Sequence, residues 1–136
     1  TLYQTQQEQR DKYMPYMYGT WSGFRVFDDN LRAASIKLEL DIDGTFKMED
    51  VMFERNTPQS PWQEKGDDFN DMRNGIWKLV CKRNDKDNNM IETYLVLDER
   101  QQNGHVIEYV LFHDVDASKL HIELLYLTEL TKVTPP

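Results

Sequence analysis

GIWKLVCK (75–82), MIETYLVL (90–97), VIEYVLFH (106–113) and LHIELLYL (120–127) follow one another through the second half of the chain and decide its fold. Apolar residues recur in them at every second position, the period of a strand with one buried face, and turn residues separate them. The four segments read as consecutive strands of an up-and-down meander. With a turn centred on Ala117-Ser118, the last two set Val115 against Leu120, His113 against Ile122, Leu111 against Leu124 and Tyr109 against Tyr126. That face is almost continuously apolar. The other face pairs Asp114 with His121, Phe112 with Glu123, Val110 with Leu125 and Glu108 with Leu127, and is mixed.

Gln102-Asn103-Gly104 joins the two preceding strands. A three-residue loop with Gly104 in the left-handed conformation places Tyr109 opposite Leu97, Leu111 opposite Leu95 and His113 opposite Thr93. A slip of one residue would turn every apolar side chain to the wrong face. The same device recurs upstream at Ile42-Asp43-Gly44, where it sets Leu40 against Phe46 and Leu38 against Met48.

Outward from the meander, strands are predicted at 19–27, 36–40 and 45–53. Residues 1–18 form a polar leader or cap with a weak apolar stripe through Tyr3, Tyr13, Met14 and Met17. Pro15 is predicted to end any helix near Met14, leaving an extended plug. Tyr13, Tyr16 and Tyr18 are assigned to one end of the sheet. The stretch 54–73, with Pro58, Pro61 and Gly66, is a long lid-like loop. Trp62 within it either folds back on the rim or touches a ligand. Residues 127–133 continue the final strand or form a short eighth one that closes on the first, and 134–136 are tail. The whole is a single domain over 19–133, all-β: an antiparallel up-and-down barrel of about eight strands. Closure removes exposed edges, and short sequential hairpins favour it over a sandwich.

Composition narrows the function. The chain has 136 residues and a net charge of −8, with no face that gathers Lys or Arg, which argues against nucleic acid as a partner. One cysteine, Cys81, excludes an intrachain disulfide framework, and its phase with Trp77 and Leu79 makes it a core residue. No stretch has the length of a membrane span. The chain starts at Thr1 without a signal peptide, so the expected form is a mature or truncated one, extracytoplasmic, in the periplasm or as a cell-surface lipoprotein.

Gly19-Thr20-Trp21 at the head of the first strand resembles the Gly-x-Trp opening of lipocalins and their calycin relatives. Asp43-Gly44-Thr45-Phe46, Gly75-Ile76-Trp77 and the final hairpin from Asp116 to Ile122 are similar to the lipocalin-like domains of exported bacterial proteins. The likeness spans 19–133. It implies a barrel and a small-molecule cup, in a group that includes members with no known ligand. The long insertion lies between the third and fourth strands here, whereas typical lipocalins carry their lid after the first.

A barrel of about eight strands is filled by side chains or holds one small ligand. The inward candidates for a hydrophobic or amphipathic ligand are Phe46, Met48, Trp77, Leu79, Tyr109, Leu111, Ile122, Leu124 and Tyr126, with Trp62 from the lid. Simple core packing accounts for the same alternation. On the outer face Val110, Phe112, Leu125 and Leu127 form either the seam of a homodimer or a surface that the leader covers. His105, His113 and His121 do not converge as metal ligands must, and Asp85 to Asn89 lacks the later positions of a calcium loop. No metal and no cofactor are expected. The chain contains no serine elbow, metal-ligand motif or phosphate loop, so no catalytic residue is assigned. Arg25 and Glu108 could serve a barrel mouth, but the register puts Glu108 outside. The leading expectation is non-catalytic binding of a small hydrophobic or amphipathic ligand. The alternative is a protein-interaction or inhibitor module using rim loops and the outer patch, and a barrel enzyme stands third.

Overall fold

Around Gly44 the chain does what its alternation dictates. Leu40 pairs with Phe46 and Leu38 with Met48. The Asp41 N–H donates to the Thr45 carbonyl at 2.9 Å and Gly44 turns the chain at φ +90°, a conformation that costs a residue without Cβ little. The computed structural model describes residues 2–83, 91–102, 104–111, 119–123 and 127–133. They form α1 (Leu2–Met17), β1 (Gly19–Val26), β2 (Arg32–Leu40), β3 (Thr45–Glu54), β4 (Gln63–Glu64), β5 (Asp71–Arg83), β6 (Ile91–Asp98), β7 (Val106–Leu111), β8 (Lys119–Glu123) and β9 (Leu127–Lys132).

The strands build one antiparallel sheet in the order β7-β6-β5-β3-β2-β1-β9-β8, with β4 alongside β3. No ladder among the described residues joins β7 to β8. The sheet curls into a half-barrel, so the expected all-β antiparallel architecture is present, without a closing ladder among the described residues. The segment 120–127 is not one strand: the chain leaves β8 at Glu123 and returns as β9, with Leu120 opposite Leu130. The short final strand does meet the first, Ser22 pairing with Thr131 and Trp21 with Lys132.

Between β6 and β7 the register is two residues from the expected one. Tyr109 stands opposite Leu95, Ile107 opposite Leu97 and Leu111 opposite Thr93. The loop is longer because Glu99 N–H still donates to the His105 carbonyl at 2.8 Å. A shift of two preserves every face, so burial alone could not have chosen between the registers.

One cluster fills the inner side: Trp21, Ile36, Leu38, Leu40, Phe46, Met48, Trp77, Leu79, Leu95, Leu97 and Leu130, together with Tyr13 and Met17 of α1. Burying a side chain of this size is worth about 1.5–3 kcal/mol. α1 runs on past Pro15 to Met17, which corrects the expected stop near Met14. Tertiary bonds hold that last turn: the Trp21 indole donates to the Met17 carbonyl at 3.0 Å, and Lys132 Nζ to the Tyr16 carbonyl at 2.8 Å. Tyr18 meets the edge of Trp77 at 5.5 Å between ring centres, while Tyr16 points to solvent.

β5 serves two neighbours. Residues 71–76 pair with β3 and residues 76–83 with β6. Gly75 sits where the two ladders meet, and a Cβ there would run into the Asp98 carbonyl oxygen and Phe46.

Candidate functional site at the charged end of the inner face

Alternation carries the inner face of β5 and β6 beyond its apolar part. On β5 the inward row that includes Trp77, Leu79 and Cys81 also contains Arg73 and Asp71. On β6 the row Thr93, Leu95 and Leu97 continues into Glu99, one residue past the strand. Arg73 stands opposite Met48 on β3, and Asp71 opposite Asp50. Arg25 stands opposite the buried Ala34. Five charged residues from β1, β3, β5 and the end of β6 thus share the inner face at one end of the half-barrel.

Glu99 is the unusual member. It is only 1% exposed, and no hydrogen-bond donor among the described residues reaches either carboxylate oxygen. Arg73 approaches it with Nε 3.9 Å from Oε1, and that same Nε donates to Asp71 Oδ2 at 2.9 Å. Arg73 is therefore oriented by Asp71 and serves Glu99 only at the limit of ion-pair distance. A buried carboxylate in this state is costly unless something supplies the missing donors.

The loop that carries Glu99 is braced on both sides. Gln102 accepts from the Asn74 N–H at 3.0 Å and donates to the Met72 carbonyl at 3.4 Å. Asp98 receives the forked guanidinium of Arg100, with Nε at 3.0 Å and Nη2 at 2.6 Å. The Arg100 side chain holds the Asp98 carboxyl below the ordinary aspartate range, and Asp98 raises Arg100 in return. Two clefts flank these elements. One of about 600 Å³ is lined by Asn74, Ile76, Asp98, Arg100 and Gln102. The other, of about 350 Å³, opens toward the charged strand ends beside Arg25, Asp29, Arg32 and Met52.

Of the sequence-derived ligand candidates, Phe46, Met48, Trp77 and Leu79 come together as buried members of the core. Tyr109, Leu111 and Ile122 lie on described strands, but their side chains lie outside the described residues, as do those of Val110 and Leu127. Phe112, Leu124, Leu125 and Tyr126 lie outside them entirely. Trp62 folds back on the opposite face of the sheet. Its ring centre is 6.0 Å from that of Phe24, and Arg55 lies 3.9 Å above the ring. Arg55 also bonds the Asn30 carbonyl at 2.9 Å, which ties the 54–62 stretch to the turn after β1. Glu108 pairs with Val96 in the β6–β7 ladder, and its side chain lies outside the described residues.

Arg73 and Glu99 escape a reading that ends each strand where apolar alternation stops. The signal was nonetheless available, since each lies in exact period-2 phase with the apolar residues beside it. Among the described residues no group of three His, Cys, Asp or Glu could hold a metal ion, and no helix is long and apolar enough to cross a membrane. No family model matches the chain, and neither does any curated protein or solved structure.

Proposed function

We propose that the chain is a non-catalytic binding module that takes one small amphipathic molecule along the inner face of the curled sheet. The observation that carries this reading is the composition of two adjacent rows. β5 offers Trp77 and Leu79 followed by Arg73, and β6 offers Leu95 and Leu97 followed by Glu99. An apolar wall that ends in a few convergent polar groups is the usual make-up of a small-molecule site. Tyr13 and Met17 of α1 cover that wall. Entry then requires α1 to shift, and this helix is weakly built: it contains Pro15, has no acidic residue in its first turn and no basic residue in its last. Met17 and Met48 are flexible enough to repack around a guest.

The test is tryptophan fluorescence titrated with fatty acids, retinoids and bile-acid-like amphiphiles, with amide exchange followed over residues 13–17. Saturable change accompanied by faster exchange in α1 is expected. A flat response across the panel removes the reading.

A second reading, contact with another copy of the chain, is favoured by the outer face of β1. Phe24 is 50% exposed and Val26 41%, and Phe24 packs edge-on against Phe53 at 5.7 Å. Light scattering on wild type and Phe24→Asp tests it. A monomer in both discards the seam.

A further inference from the structure

Resting on that binding reading, we infer that the molecule carries a protonated amine, which docks on Glu99 at the charged end of the inner face. Three properties of the site point to a cation. Both oxygens of Glu99 are buried without a hydrogen-bond donor among the described residues, so the site has acceptor capacity to fill. Arg73 does not fill it, because its Nε is committed to Asp71 at 2.9 Å and stands 3.9 Å from Glu99. The inner-face charges named above are Asp50, Asp71 and Glu99 against Arg25 and Arg73, an excess of one acid.

An ammonium group supplies up to three N–H donors and one positive charge in a small volume, which answers both deficits together. A carboxylate head would have to turn to Arg25 and Arg73, and would gain no bond to Glu99, whose acceptor oxygens it would leave unfilled. A hydroxyl would offer a single donor and no charge. The overall net charge of −8 favours the approach of a cation as well. The apolar body of the guest lies along Leu97, Trp77 and Leu79, which continue the rows that hold Glu99 and Arg73.

The experiment compares decylamine, decanol and decanoate on the full chain at neutral pH and below their micellar range, read by calorimetry. Decylamine is expected to bind about tenfold more tightly than decanol, as one added charge-assisted bond allows, with decanoate weakest. In Glu99→Gln, an isosteric change that removes the charge, decylamine and decanol should converge to within about twofold while decanol binding persists. If decanol or decanoate matches decylamine on the wild type, or if the amine preference survives Glu99→Gln, the amine assignment is overturned and the binding reading stands. If none of the three binds saturably, the binding reading itself falls. Should Glu99→Gln not fold, the wild-type series alone decides, because head-group preference at constant chain length already separates these outcomes.

Discussion

Gln102 takes over the edge of β5 at Asn74, where the β6 ladder has ended. The Asn74 N–H donates 3.0 Å to its amide oxygen, and its amide nitrogen donates 3.4 Å to the Met72 carbonyl. One side chain thereby reproduces the donor and acceptor of a neighbouring strand and fixes the loop that aims Glu99 inward. Gln102→Ala should lower stability by about 1–2 kcal/mol, two net hydrogen bonds, and speed amide exchange at Asn74. Urea denaturation with exchange by NMR checks both. Unchanged exchange at Asn74 would mean the loop is held elsewhere.

Pro15 lies inside α1 and cannot donate to the carbonyl four residues before it. Its side chain is exposed, so replacement costs no packing. Pro15→Ala should therefore stabilise the protein. The gain is set at about 1–2 kcal/mol, because alanine also loosens the unfolded chain. Thermal and urea unfolding measure it. A loss of stability would show that the helix end depends on the proline ring.

Gly75 is the close-approach point between β5 and β6. An added methyl would meet the Asp98 carbonyl, which is backbone and cannot rotate aside, as well as Phe46 Cε1 at 2.9 Å. Gly75→Ala should cost about 1–3 kcal/mol, the range for overpacking a tight site. Chemical denaturation reads it, and a cost below about 0.5 kcal/mol would mean the two strands separate freely there.

Asp43 organises the turn before β3. The Thr45 hydroxyl donates to it at 2.6 Å and the Thr45 N–H at 2.9 Å, and these bonds, the hydroxyl first, lower its carboxyl below the ordinary value. A folded-state value below the unfolded one, about 3.9, means the contribution is complete above that pH and fades as pH falls through the folded value. Asp43→Asn should thus be less stable than wild type at neutral pH, and the gap should close below about pH 4. A pH series of urea denaturation curves follows it. A gap that stays constant down to acid would assign the effect to geometry instead of charge.

Period-2 alternation settles which face each side chain takes, and for the hairpin at Gly44 it also settles the register, because that loop is as short as its turn residues allow. It does not settle loop length at 99–105. Moving β7 by two residues against β6 leaves Leu95, Leu97, Tyr109 and Leu111 in phase, so alternation fits both registers and the backbone ladder, ending at the Glu99–His105 bond, distinguishes them. Trp62 could be assigned to a loop from its neighbours, yet the partners that draw it to the outer face, Phe24 and Arg55, come from different parts of the chain.

Local patterning was enough for the all-β character and for the inward set Phe46, Met48, Trp77 and Leu79, and it left open whether residues 127–133 extend the preceding strand or return to the first. The character and the set follow from local alternation and turn chemistry, which act over a few residues. Only tertiary structure decided that the sheet stops at a half-barrel and that α1 survives Pro15. It alone placed Glu99 in the interior, with no hydrogen-bond donor among the described residues at its carboxylate. Each of those outcomes depends on groups far apart in the chain, such as Lys132 reaching Tyr16 and Gln102 reaching Asn74, and no local pattern encodes such distances.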